Sequence, residues 1–150
     1  MTLSDPANEV RVEIYRSFVE DGSAPSPDAL AATLGMSRED VSLAVRELAD
    51  HDVIALQPGS DRLWLAHPFA ATPSPFVVEA GRRRWDAICV WDAFGVLALM
   101  DVDGGVTAHC PDCDEHFNVV VRDGEVPMPS EHVVHFEVPA SRWYEDIGHT

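Results

Sequence analysis

The stretch Arg82-Arg-Arg-Trp85-Asp-Ala-Ile-Cys89-Val-Trp91-Asp92-Ala-Phe-Gly95-Val-Leu-Ala-Leu-Met100 decides how the chain is read. After its arginines the run is mostly apolar, at a length that suits one long helix packed in a core. With strands expected on its C-terminal side, that helix makes the fold class α+β. Residues three apart on a helix share a face, so Cys89 and Asp92 are placed to act on one small ligand. Apolar surroundings make either group costly without a partner. A soft nucleophile beside a proton carrier suits attack on a soft electrophile and protonation of what leaves. The plain alternatives are a core cysteine packed as a small hydrophobe and an aspartate bonded to backbone or to Arg82–Arg84. Trp85 and Trp91 read as packing residues.

Upstream, residues 1–66 read as a winged-helix (helix-turn-helix) domain. Val10, Ile14, Phe18 and Val19 mark one face of a first helix that ends near Asp21-Gly22. Ser26-Pro27-Asp28 supplies a cap, a first-turn proline and an early acid for a second helix. Ser37 and Asp40 open a third in the manner of a capping box, sending Val41, Val45 and Leu48 inward. Val53–Leu56, the turn Pro58-Gly59-Ser60-Asp61 and Arg62–Ala66 make the hairpin wing. The third helix offers Arg38 and Arg46 against Glu39, Asp40 and Glu47, a balance that argues against a phosphate-facing surface.

Residues 67–80, with Pro68, Pro73 and Pro75, read as a proline-rich connector leading into an extended Phe76-Val77-Val78. Residues 81–150 form the last unit, in which the long helix is followed by a small, mostly antiparallel sheet. Its strands are Val106–Cys110, Phe117–Val121 and Val133–Val138, with turns at Asp103-Gly104-Gly105 and Asp123-Gly124. Ser141 caps a final short helix carrying Trp143, Tyr144 and Ile147.

The chain has 150 residues and a net charge of −16, and all ten basic residues are arginine. Such acidity repels nucleic acids and anionic membranes. Together with the lack of lysine it fits a halophilic-type surface, or a GC-rich genome that replaces lysine with arginine. No apolar run approaches a membrane span, and Met-Thr-Leu-Ser-Asp-Pro has no signal pattern, so a cytoplasmic location is expected. Three cysteines without a secretory signal favour thiol chemistry or metal binding over disulfides. Cys110-x-x-Cys113, flanked by His109 and His116, has half the ligands of a zinc knuckle, and His132 and His135 are further candidates. Its bland reading is a solvated turn.

Taken together, the winged-helix N-terminus, the connector, the helix bearing Cys89-Val90-Trp91-Asp92, the strand end His109-Cys110 and the later Val138-Pro139 resemble the organomercurial (alkylmercury) lyase family. The resemblance runs from residue 9 to 150. It implies that two cysteines and an aspartate cleave a carbon–mercury bond: one thiolate binds mercury, a second shares it, and the aspartate carries the proton that ends on carbon. Mercury is soft and prefers thiolate sulfur, which makes the residue types intelligible. By this resemblance Cys89 is the first thiolate, Asp92 the proton carrier and Cys110 a structural cysteine. The second catalytic cysteine falls at or just past Thr150, so the expectation is a short member whose turnover is impaired, with Cys113 as the spare thiol.

The expected activity is therefore that of a carbon–mercury lyase acting on an organomercurial or another soft electrophile, with mercury as substrate and product and no required cofactor. Metal contacts are expected from Cys89, Cys110 and Cys113, with zinc at the latter two. The alternative is a non-catalytic thiol or metal-binding protein, a sensor or carrier; a winged-helix regulator ranks below both. An exposed final strand would invite a homodimer.

Overall fold

A computed structural model describes residues 2–110, 112–126, 133–145 and 147. Three helices come first: α1 (Asp5–Asp21), α2 (Pro27–Leu34) and α3 (Arg38–Asp50). Each starts on a serine whose hydroxyl accepts from a backbone N–H in the first turn, Ser4 from Ala7, Ser26 from Ala29 and Ser37 from Asp40. Glycines in the left-handed region, Gly22 and Gly35, close α1 and α2. The predicted inward residues Val10, Ile14, Phe18, Val41, Val45 and Leu48 are all buried. Arg38, at the head of α3, bridges to Asp28 at 3.1 Å and to Asp61 at 2.7 Å, tying α2 and the following hairpin together.

Seven strands follow, β1 (Ala55–Leu56), β2 (Leu63–Ala66), β3 (Phe69–Ala70), β4 (Phe76–Ala80), β5 (Arg83–Ala87), β6 (Gly104–His109) and β7 (His116–Val121). They form one antiparallel sheet in the order β1-β2-β3-β5-β4-β6-β7. Helix α4 (Val90–Met100) lies between β5 and β6 in sequence and packs on β3 through β6. The fold is α+β.

Several expectations need correction. Arg82–Met100 is not one long helix: Arg83–Ala87 is a strand and the helix begins only at Val90. The reason lies in the period, because Trp85 and Ala87 are buried while Arg84 is exposed and Asp86 only part-buried, the alternation of a strand. The apolar character of the whole run hid that switch.

The stretch 67–80 carries β3 and β4, since its prolines stand at 68, 73 and 75 and leave 69–70 and 76–80 free to pair. The sheet is accordingly larger than the small one expected, and the strands of the wing hairpin are part of it. Finally, Val133–Val138 is not a strand. Val133 is 87% exposed, Val134 and Phe136 are also exposed, and an alternating pattern with no face to bury has nothing to hold it extended in a ladder. Ser141 lies inside a short 3-10 helix, Ala140–Glu145, and does not cap it. His132 falls outside the described residues.

One core joins the helices to the sheet. Phe18 of α1 stacks on Phe69 of β3 at 4.8 Å and 8°, and the buried Trp85 of β5 donates its Nε1–H to the Phe18 carbonyl at 2.7 Å. Gly22 sits where a Cβ would lie 2.8 Å from the Arg84 carbonyl oxygen, so α1 ends directly against β5. Among the described residues no helix is long and apolar enough to cross a membrane.

A thiol, a carboxyl and an imidazole at the head of a helix

Cys89 and Asp92 are brought together, though not by the two-residues-on-one-helix logic of the sequence. Cys89 is the N-cap of α4, with extended backbone (φ −142°, ψ 175°), and Asp92 is in the first turn. A cap side chain folds back over that turn, so the Cys89 sulfur accepts the Asp92 N–H at 3.5 Å and its S–H donates to Asp92 Oδ2 at 3.6 Å. Cysteine here takes the place usually held by serine or aspartate. Backbone N–H groups of Trp91 and Asp92 aimed at the sulfur favour a thiolate, as the head of a helix does for any anion. Burial works against ionisation and is the larger effect, and the neighbouring Asp92 charge adds to it. The thiol is pushed up to about 11. At rest the pair is thus a thiol beside a carboxyl, and the group needs an electrophile to draw the proton off.

Two residues the sequence reading did not single out complete the cluster. His67 places Nδ1 3.6 Å from Asp92 Oδ2, where the carboxyl side chain is only 15% exposed. It reaches there from the β2–β3 turn, the dipeptide His67-Pro68, whose proline lies against Gly95 of α4. Tyr15 of α1 donates its hydroxyl to the His67 carbonyl at 3.0 Å, holding the turn from behind.

Tyr144 lies edge-on to the His67 ring at 5.8 Å and donates to the Asp52 carbonyl at 2.6 Å. Burial first, then the charges of Asp52, Tyr15 and Asp92, push its phenol up to about 12, so it remains a donor at neutral pH. A lone histidine in a Pro turn and a tyrosine in a polar C-terminal stretch carry no pattern in sequence. Only the fold assembles them.

Beside the thiol, Trp91 is 55% exposed and forms edge contact with Phe136 at 5.9 Å, which in turn meets Trp143 at 5.3 Å. Trp143 is fixed by its Nε1–H to the Val138 carbonyl at 3.1 Å. The segment 133–145 therefore packs its aromatic rings on Trp91, the residue before Asp92. Trp91 packs on Phe136 as expected of a packing residue, with 55% of its surface left exposed.

Cys110 and Cys113 lie elsewhere, at the turn between β6 and β7. The expected metal set of Cys89, Cys110 and Cys113 is not gathered. Among the described residues, no group of three or more His, Cys, Asp or Glu side chains is placed to hold one metal ion. Zinc at Cys110 and Cys113 therefore finds no support, because a structural zinc site takes four ligands.

Comparison with known proteins agrees with the geometry on family and fold. The alkylmercury lyase (MerB) family model matches residues 69–148, more than half of the chain. Among solved structures the chain is similar to the mercury-bound form of MerB2, with a TM-score of 0.66 and 20% sequence identity over 85% of this chain. The chain spans 61% of the length of that protein. No curated protein gives a significant match.

Proposed function

The chain belongs to the alkylmercury lyase family, and on that premise we propose that it binds an organomercurial, or a related soft electrophile, through Cys89 and returns a proton to the leaving carbon through Asp92. The observation that carries this reading is the 3.6 Å contact between the Cys89 thiol and Asp92 Oδ2 in a part-buried site. Mercury arriving as R–Hg–SR′, a small-thiol adduct, would bind the Cys89 sulfur; the S–H proton passes to Asp92. Asp92 then delivers it to the carbon as the C–Hg bond breaks. The products are R–H and Cys89–S–Hg–SR′. One S–H and one C–Hg bond are lost, one S–Hg and one C–H bond are gained, and nothing is oxidised or reduced. The small thiol serves as the second sulfur on mercury. His67, beside Asp92, orients the carboxyl and supports the return of its proton. The aromatic flank of Trp91 and Phe136 gives an apolar R group a surface to rest on.

The test is release of benzene from a phenylmercury salt in excess small thiol, followed by headspace chromatography. Release by the native protein and its loss in Cys89→Ser are expected. Mercury held by the protein with no hydrocarbon released would overturn the lyase reading in favour of a thiol-based mercury binder.

A further inference from the structure

The β6–β7 turn carries chemistry that the proposed lyase site does not use. His109 ends β6, His116 begins β7, and the two are cross-strand partners with rings 5.1 Å apart. The loop they close is tight: Cys110 N–H donates to the Glu115 carbonyl at 2.9 Å, and Asp114 N–H to the Cys110 carbonyl at 2.9 Å, with Asp114 in the left-handed region at φ 58°. Cys110 and Cys113 stand three residues apart within that turn. Both thiols are free, Cys113 is exposed, and Cys110 is half-buried.

We propose that Cys110 and Cys113 form a second, two-coordinate site for a mercuric ion, separate from Cys89. Two free thiols three residues apart on one tight turn are a chelate for a soft cation that is content with two ligands. A cation demanding four ligands is disfavoured there, since no third side chain is in place among the described residues. Asp112, Asp114 and Glu115 flank the pair with negative charge that draws a cation in. The exchange balances: Hg(SR)2, the Cys110 thiolate and the Cys113 thiol give Cys110–S–Hg–S–Cys113, one free thiol RSH and one thiolate RS−.

The sheet also sets the distance from the first site. Phe76 pairs with Ala87 and Val77 with Thr107, so β5 runs out toward Cys89 and β6 toward Cys110 at the same end, with β4 between them. Two strand spacings put those exits about 10 Å apart. That is too far for one ion to be shared and near enough for a product ion to pass across. This receiving role rests on the lyase reading; the binding site itself does not.

The test uses full-length Cys89→Ala protein, reduced and titrated with mercuric chloride in excess glutathione. It is read by the ultraviolet sulfur-to-mercury absorption and by native mass spectrometry. One mercury per single chain is expected, and adding Cys113→Ser, at an exposed position, should weaken retention at least 100-fold while leaving the melting temperature in place. No mercury on Cys89→Ala, equal retention after Cys113→Ser, or mercury found only bridging two chains would each overturn the site. Because Cys89→Ala cannot cleave by the proposed route, these results are independent of whether the native protein releases benzene. If the site stands, native protein that cleaves should also lose its product ion to glutathione more slowly than Cys113→Ser does.

Discussion

Replacing Asp92 with Asn should move two rates at Cys89 in opposite directions. The carboxyl both accepts the thiol proton and opposes a negative sulfur. Unit charges 3.6 Å apart repel by about 4–5 kcal/mol at an effective dielectric of 20. Solvent at a part-exposed site and backbone relaxation leave a fraction of that, so we expect the thiol to fall by about one pKa unit. Burial, the largest cause of the upward shift, is unchanged by the substitution, so the thiol still titrates above its ordinary 9.0. With a pKa of about 11, roughly one native thiol in 10³ is ionised at pH 8.

Alkylation of Cys89 by iodoacetamide at pH 8, followed on the Cys89 peptide by mass spectrometry, should therefore quicken about tenfold in Asp92→Asn. Benzene release should meanwhile drop by about 10²–10⁴, because the amide cannot carry the proton to carbon. A rise in one rate with a fall in the other separates a proton carrier from a residue that only shapes the fold, which would move both the same way. Slower or unchanged alkylation would refute the electrostatic account, and undiminished cleavage would refute the role of Asp92.

Further outcomes follow from the same geometry. The folded protein holds the Cys89 proton more tightly than an unfolded chain titrating near 9.0, so its stabilising contribution is complete below pH 9 and is lost as pH rises toward about 11. Melting temperature should decline across that window, and Cys89→Ala should flatten part of the slope. Gly104→Ala should destabilise by about 1–3 kcal/mol in urea unfolding, since the new Cβ would stand 2.6 Å from the Glu79 carbonyl oxygen and 2.6 Å from a methyl of Leu97. Tyr144→Phe removes the 2.6 Å bond to the Asp52 carbonyl. It should speed proteolysis within 133–145 and raise KM for the organomercurial severalfold, at a global cost near 1 kcal/mol; proteolysis at the native rate would show that this bond does not hold the segment.

Much of the N-terminal half was legible because its signals are local. Serine caps, left-handed glycines and a 3.6-residue apolar stripe set the ends and faces of α1 to α3 without reference to anything distant. Arg83–Ala87 was misread because a strand buried on one face and a helix buried all round look alike over five residues when apolar sequence follows. Val133–Val138 failed for the opposite reason, since alternation predicts a strand only if a sheet edge is there to receive it.

At the site, Cys89 and Asp92 were named from sequence for the right proximity and the wrong geometry; a cap and its third residue meet as closely as two residues on one helical face. His67 and Tyr144 were not legible, because His67 reaches Asp92 from 25 residues before it and Tyr144 meets the His67 ring from the far end of the chain, and only the tertiary fold carries them there.

The hydroxyl of Tyr15, seated on the carbonyl of His67, makes the first helix a rear support for the cluster of Cys89, Asp92 and His67. Anyone transplanting the Cys-x-x-Asp turn into a new scaffold would inherit a thiol with an acid beside it but no imidazole held at its station. A minimal unit that keeps this cluster has to bring residues from both ends of the polypeptide, and trimming it to the segment that bears the sulfur would discard what fixes the imidazole beside the acid.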